Sequence, residues 1–172
     1  MSTKLSTEFR LRLLKVARQS LENFLKNKER IQFPTEKPEL LEQRAVFVTL
    51  RKKSNGDLRG CIGQSNPRYP LIEAVAKTAI SSAVEDTRFP SVTIYELADL
   101  SIELNVLSTM KPTKPENVEL GKHGLMINKG SKGALFLPEV AISNGWDLHT
   151  FFNELCRKAE LPEGSWHNSG TE

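Results

Sequence analysis

The chain has 172 residues, 38% of them hydrophobic and 26% charged, with two cysteines and a formal net charge of +3. A chain of this length buries roughly 70% of the surface its unfolded form exposes, so it requires neither a disulfide framework nor a metal to fold. No apolar run approaches the ~20 residues of a membrane span, and the N-terminus lacks a signal-peptide core, so a cytoplasmic protein is expected. Cys61 and Cys156 stand in different kinds of segment with nothing to pair them, and three scattered histidines offer no zinc-ligand spacing. The charge is uneven. Residues 1–30 hold eight Lys/Arg against three Glu, a net +5, which leaves −2 for the rest. A basic face there suits nucleic acid or an acidic partner, or is simply solvated.

Residues 7–26 read as an amphipathic helix. Phe9, Leu13, Val16, Ala17, Leu21, Phe24 and Leu25 recur at spacings of three and four, and Ser6 or Thr7 supplies a cap. Pro34 and Pro38 then predict an extended connection. Residues 45–50, Ala-Val-Phe-Val-Thr-Leu, are β-rich and nearly all apolar, the pattern of a central strand covered on both faces. Asn55-Gly56 is a strong hairpin signal, because both residues tolerate positive φ. The strand after it, Leu58 to Ile62, should pair back antiparallel. By alternation Leu58 and Ile62 share one face and Arg59 and Cys61 the other.

A second helix is predicted over residues 70–85, opened by Pro70 and rich in small side chains at Ala74, Ala76, Ala79, Ser81, Ser82 and Ala83. It should stop ahead of Arg88-Phe89-Pro90. Thr93 to Glu96 fits a capping box, and Ser101 to Leu107 alternates as a half-buried strand. Lys111 to Pro115 is a stiff loop and a plausible border between two lobes. A second hairpin follows from Leu125–Ile127 and Ala134–Leu137, with a turn between Asn128 and Gly133. The last helix begins near Asp147, buries Leu148, Phe151, Phe152, Leu155 and Ala159, and ends at Pro162 and Gly164.

The chemistry concentrates in Leu58-Arg59-Gly60-Cys61-Ile62-Gly63. A free thiol is only about 3% thiolate at pH 7. Arg59, roughly 6.6 Å away along a strand, favours the thiolate by about 0.6 kcal/mol in a water-like dielectric and about 2.5 kcal/mol in a sheltered one. Cys61 is therefore a candidate nucleophile if it opens into a cleft, and otherwise a small packing residue. Gly60 and Gly63 permit close backbone approach, either for an anion on exposed amides or for the small-residue helix. Their spacing fits neither a Walker A loop nor a dinucleotide fingerprint, and it matches the RNA-contacting loop of KH domains in spacing alone. His123, beside Gly124, is a candidate base for Cys61, or an ordinary structural histidine. Glu85, Asp86 and Arg88 form either an ion-pair network or part of a cleft. Cys156, Phe151 and Phe152 read as core.

Phe47 to Leu50 followed by Leu58 to Gly63 resembles the AMMECR domain, named from the AMME syndrome chromosomal region. Asp86-Thr87-Arg88-Phe89-Pro90, Tyr95-Glu96-Leu97, His123-Gly124-Leu125, Leu135 to Ala141, and Trp146-Asp147 through Trp166 continue the match over about residues 10–166. The resemblance implies an α/β fold of the α+β type: two lobes, antiparallel sheet with flanking helices, a smaller lobe carrying a hairpin, and a cleft. It implies no settled activity, substrate or cofactor. Members are often encoded beside a radical-SAM protein and a Memo-like protein, which implies a shared enzymatic or modification pathway. Members commonly continue into a further β-prone segment after the position of Trp166; if that strand is missing here, a sheet edge is expected to be open or filled by another chain. Ser91 stands where a second proline is usual.

These readings together suggest a single two-lobed domain. It would be an enzyme or small-molecule-binding protein with Cys61, Arg59 and His123 as candidate catalytic residues. Gly60, Gly63, Arg88 and Phe89 are the candidate binding residues, and no metal is expected. The alternative is a regulatory module that docks RNA or a protein through Arg10, Arg12, Lys15 and Arg18. A third reading makes the hexapeptide purely structural.

Overall fold

Apolar periodicity and capping set the first element. Helix α1 (Thr7–Asn27) is capped by Ser6, whose side chain accepts the Phe9 N–H, and it ends at Lys28 in the left-handed region. Its buried stripe is Leu13, Val16, Ala17, Leu21 and Leu25. The computed structural model describes residues 5–167 and divides into two compact units, residues 1–110 and 111–172. The expected open edge after Trp166 concerns residues 168–172, which lie outside those described.

In the first unit the proline-bounded connection is extended only in part. Pro38 starts a four-residue helix, α2 (Pro38–Leu41), which buries Leu40 in the core. Strands β1 (Val46–Lys52), β2 (Leu58–Gln64) and β3 (Leu100–Val106) form an antiparallel sheet in the order β2-β1-β3. β1 is central, as its apolar run predicts. Val46, Val48 and Leu50 are completely buried, Phe47 is half-buried and Arg51 is exposed, so coverage of the second face is partial. Helix α3 (Leu71–Val84) follows Pro70 and packs on α1 and on this sheet, and the core runs through Leu21, Val48, Leu71, Val75, Ala79 and Leu100. A 3-10 helix at Ile94–Asp99 carries the expected capping box of Thr93 and Glu96.

Two features of the β1–β2 hairpin depart from simple alternation. Lys52 N–H donates to the Asp57 carbonyl, so the connection is a four-residue turn, with Gly56 at φ 79°. Leu50 then pairs with Gly60 while Arg51 pairs with Leu58, which leaves Arg59 as the extra residue of a β-bulge. Leu58 and Ile62 consequently do not share a face, and alternation no longer dictates where Arg59 points. Beyond the bulge, Gly60 and Ile62 stand opposite Leu50 and Val48, while Cys61 and Gly63 stand opposite Thr49 and Phe47.

The second unit is built on its own core. Strands β4 (Leu125–Lys129) and β5 (Lys132–Phe136) form a hairpin whose turn is tighter than the sequence suggests, with Gly130 at φ 60°. Pro138 opens a short helix, α4 (Pro138–Ser143), that periodicity alone did not reveal. Helix α5 (Leu148–Lys158) is capped by Asp147, which accepts the Thr150 N–H. It stops before Pro162, where Glu160 turns to φ 55°. Phe151, Leu155 and Cys156 are completely buried or nearly so, and Phe136, Trp146 and Trp166 pack around them. No helix among the described residues is long and apolar enough to cross a membrane.

Candidate functional site

β2 is an edge strand, so its outward N–H and C=O groups need partners that the sheet does not supply. The segment just after α3 provides them at Cys61. The Cys61 N–H donates to Asp86 Oδ2 at 2.8 Å, and the Cys61 carbonyl accepts from Arg88 Nη2 at 3.4 Å. Asp86 is buried and Arg88 is not; their side chains are 5% and 57% exposed. The pair is bidentate, with Arg88 Nε donating to Asp86 Oδ1 at 2.9 Å and Nη2 to Oδ2 at 2.7 Å. Oδ1 also accepts the Arg88 N–H at 3.2 Å. One carboxylate thus receives four N–H groups and ties the 86–88 turn to the strand edge. These bonds, led by the one from the Arg88 side chain, hold the Asp86 carboxyl well below the usual carboxylate range despite its burial. The same pairing raises Arg88, and Coulombic attraction to Cys61 adds in the same direction.

Cys61 is a free, half-buried thiol. Its Sγ lies 3.3 Å from the hydroxyl of Thr49, its direct cross-strand partner. Toward a thiolate that hydroxyl is the donor. Thr49 went unnoticed in the sequence because it lies inside an apolar run. The four-residue turn and the bulge, both invisible there, are what bring it opposite Cys61.

Arg59 is placed differently from the expectation built on alternation. Its side chain is 8% exposed and bonded at every nitrogen. Nε and Nη2 donate to Glu96 Oε1 and Oε2 at 2.7 and 3.2 Å, and Nη1 donates to the Pro90 carbonyl at 2.9 Å. Glu96 also accepts from the Thr93 N–H and hydroxyl, so the capping box and the ion pair share one carboxylate. The Arg59 bond, above the others, lowers Glu96 to about 2. Arg59 therefore anchors residues 90–96 to the bulge, and the guanidinium that touches the Cys61 main chain belongs to Arg88.

The glycines are close-approach positions. A Cβ on Gly60 would overlap the main-chain carbonyl of Ser82 on α3, and one on Gly63 would overlap the Phe47 ring. Gly60 thus meets the small-residue helix, whereas Gly63 makes room for a neighbouring strand's side chain. Ser82 Oγ accepts the Ile62 N–H at 3.1 Å and lies within donating distance of the Val48 and Thr78 carbonyls. Phe89 is half-buried, its ring 5.5 Å from the Arg88 guanidinium carbon.

His123 belongs to the second unit. It is half-buried, its Nδ1 accepts the Glu119 N–H at 3.1 Å, and its main-chain N–H donates to the Glu119 carbonyl. A neutral His123 therefore carries its proton on Nε2. On α1, Arg10 donates to the carbonyl of Leu5, Arg12 to that of Pro34, and Arg18 to those of Leu97 and Leu100. Three of the four cations proposed for nucleic acid are thus tied to the protein's own backbone.

The two motifs that meet at the β2 edge, Leu58 to Gly63 and Asp86 to Pro90, are among those on which the family resemblance rests. The AMMECR1 family model matches residues 14–172. This chain belongs to the AMMECR1 family. It is 38% identical to Protein PH0010 of Pyrococcus horikoshii over 179 residues, covering 98% of this chain and 87% of that protein. It is 40% identical to a protein of Thermococcus gammatolerans over 170 residues, covering 93% of this chain and 83% of the relative. The crystal structure of the uncharacterized PH0010 superposes with a TM-score of 0.85 at 39% identity, covering 98% of this chain and 88% of that one. The α+β fold expected for the AMMECR1 family is the fold observed.

Proposed function

We propose that this AMMECR1-family protein is an enzyme or small-molecule-binding protein that works through the Cys61 thiol as nucleophile or redox group. The observation that carries the reading is the setting of Cys61. It is a half-buried free thiol on an edge strand, its main chain held from one side by Asp86 and Arg88 and its Sγ within hydrogen-bonding reach of Thr49. A thiol whose only role is to fill a core resembles Cys156, which is completely buried among Phe151, Phe152 and Leu155. Cys61 instead is only half-buried, with a hydroxyl at its sulfur and an ion pair at its main chain, so a reagent or ligand can reach it.

Alkylation of the native protein with iodoacetamide, read by peptide mass mapping, tests this. Cys61 should be modified at neutral pH while Cys156 is spared until the protein is unfolded. Equal labelling of both cysteines, or negligible labelling of Cys61, would remove the proposal and leave the hexapeptide with a structural role.

A further inference from the structure

Arg88 has an arrangement that an edge-covering residue does not require. One carboxylate oxygen is enough to take the Cys61 N–H, yet Asp86 also grips the guanidinium side-on through Nε and Nη2. That grip, with the Phe89 ring nearby, fixes the plane of a side chain that is 57% exposed. Nη1 has no hydrogen-bond partner among the described residues. The charge of Asp86 is turned inward, its side chain 5% exposed, so the pair presents N–H groups outward and its carboxylate inward. A guanidinium held this way loses little rotamer freedom when it accepts a ligand, and its planar donors suit a carboxylate or phosphate. By contrast, Arg59 has the same chemistry but every nitrogen committed inside the fold.

We infer that Arg88 is the anion-recognition residue of the Cys61 site, and that the molecule handled there carries a small oxyanion, a carboxylate or a phosphate. This rests on the reading of Cys61 as the working thiol. Asp86 is a positioning residue: it acts through Arg88 and through the Cys61 main chain, and it does not itself meet the ligand.

The full chain is alkylated with iodoacetate and with iodoacetamide, reagents that differ in carrying or lacking a carboxylate. In each case the sulfur–carbon bond forms as the carbon–iodine bond breaks, iodide leaves with the electron pair, and the thiol proton passes to solvent. The ratio of the two rates at Cys61, normalised to that of a small free thiol, should favour iodoacetate about three- to tenfold, as one charge within roughly 6 Å implies. Arg88→Gln should bring the ratio to that of the free thiol, and Arg88→Lys should retain part of the preference. In parallel, inorganic phosphate and acetate are titrated separately into nitrogen-15-labelled protein. The Arg88 Nε and Cys61 amide resonances should move saturably with at least one of them, and not in Arg88→Gln; whichever saturates first distinguishes phosphate from carboxylate. Cys61 labelling with no iodoacetate preference and no saturable shift overturns the anion inference alone. An unreactive Cys61 with a saturable, Arg88-dependent shift overturns the thiol reading and leaves an anion site.

Discussion

Asp86→Asn is the sharpest perturbation of this site, because the replacement has the same shape and the wrong chemistry. Oδ2 accepts from Cys61 N–H and Arg88 Nη2, at 2.8 and 2.7 Å, and Oδ1 from the Arg88 N–H and Nε, at 3.2 and 2.9 Å. An asparagine offers one acceptor and one NH2 group, so in either orientation two donors face a donor. Bonds to charged groups are worth about 1.5–3 kcal/mol each. Arg88 is more than half exposed, and water compensates much of its share. The main-chain N–H groups are less easily resolvated. A net loss of about 2–3 kcal/mol is expected, a fall of roughly 1–2 M in the urea midpoint of the first unit. Trp146 and Trp166 both lie in the second unit. Circular dichroism of the whole chain, read against tryptophan fluorescence, therefore reports where the change falls. Hydrogen exchange gives the local test: the Cys61 amide should lose protection in the variant by more than the amides of β3. An unchanged midpoint together with unchanged Cys61 protection would refute the claim that Asp86 ties the turn to the strand.

Gly60→Ala should be costly, by about 2–4 kcal/mol in chemical denaturation, because the new methyl meets the Ser82 main-chain carbonyl and α3 would have to move. Gly63→Ala should cost less, since the obstacle is the half-buried Phe47 side chain; equal costs would contradict the close packing of α3 on Gly60. Stability should also fall in acid. Asp86 and Glu96 are both depressed in the folded state, so their contributions are fully present above the unfolded carboxylate values near pH 4 and fade as pH drops toward about 2 for Glu96. Glu96 is 35% exposed, so its share is discounted to about 1–2 kcal/mol. Urea midpoints measured between pH 5 and pH 2.5 should show this decline, and Glu96→Gln should flatten part of it. A midpoint that stays constant over that range would contradict both pairings.

Where residues interact with near neighbours in the chain, the sequence alone was sufficient. α1, its Ser6 cap and buried stripe, the Asp147 cap of α5, the Thr93–Glu96 capping box and the central position of β1 follow from periodicity and local hydrogen bonding, which operate within a few residues. The pairing of the Leu58–Gly63 and Asp86–Pro90 motifs with one family was legible for a similar reason, since each motif is a contiguous string. The site itself was legible only as a location. Its wiring depends on one inserted residue. The bulge at Arg59 shifts the register of β2 against β1, sets Thr49 beside Cys61, and releases Arg59 from the alternation that would have aimed it along the Cys61 face. Arg59 then satisfies Glu96, 37 positions away, and Arg88 satisfies the Cys61 carbonyl from 27 positions away. Such bonds depend on where an edge strand leaves unpaired groups and on which loop returns to cover them. No local propensity carries that information; the tertiary structure decides it, through the bulge in β2 and the close packing of α3 on Gly60.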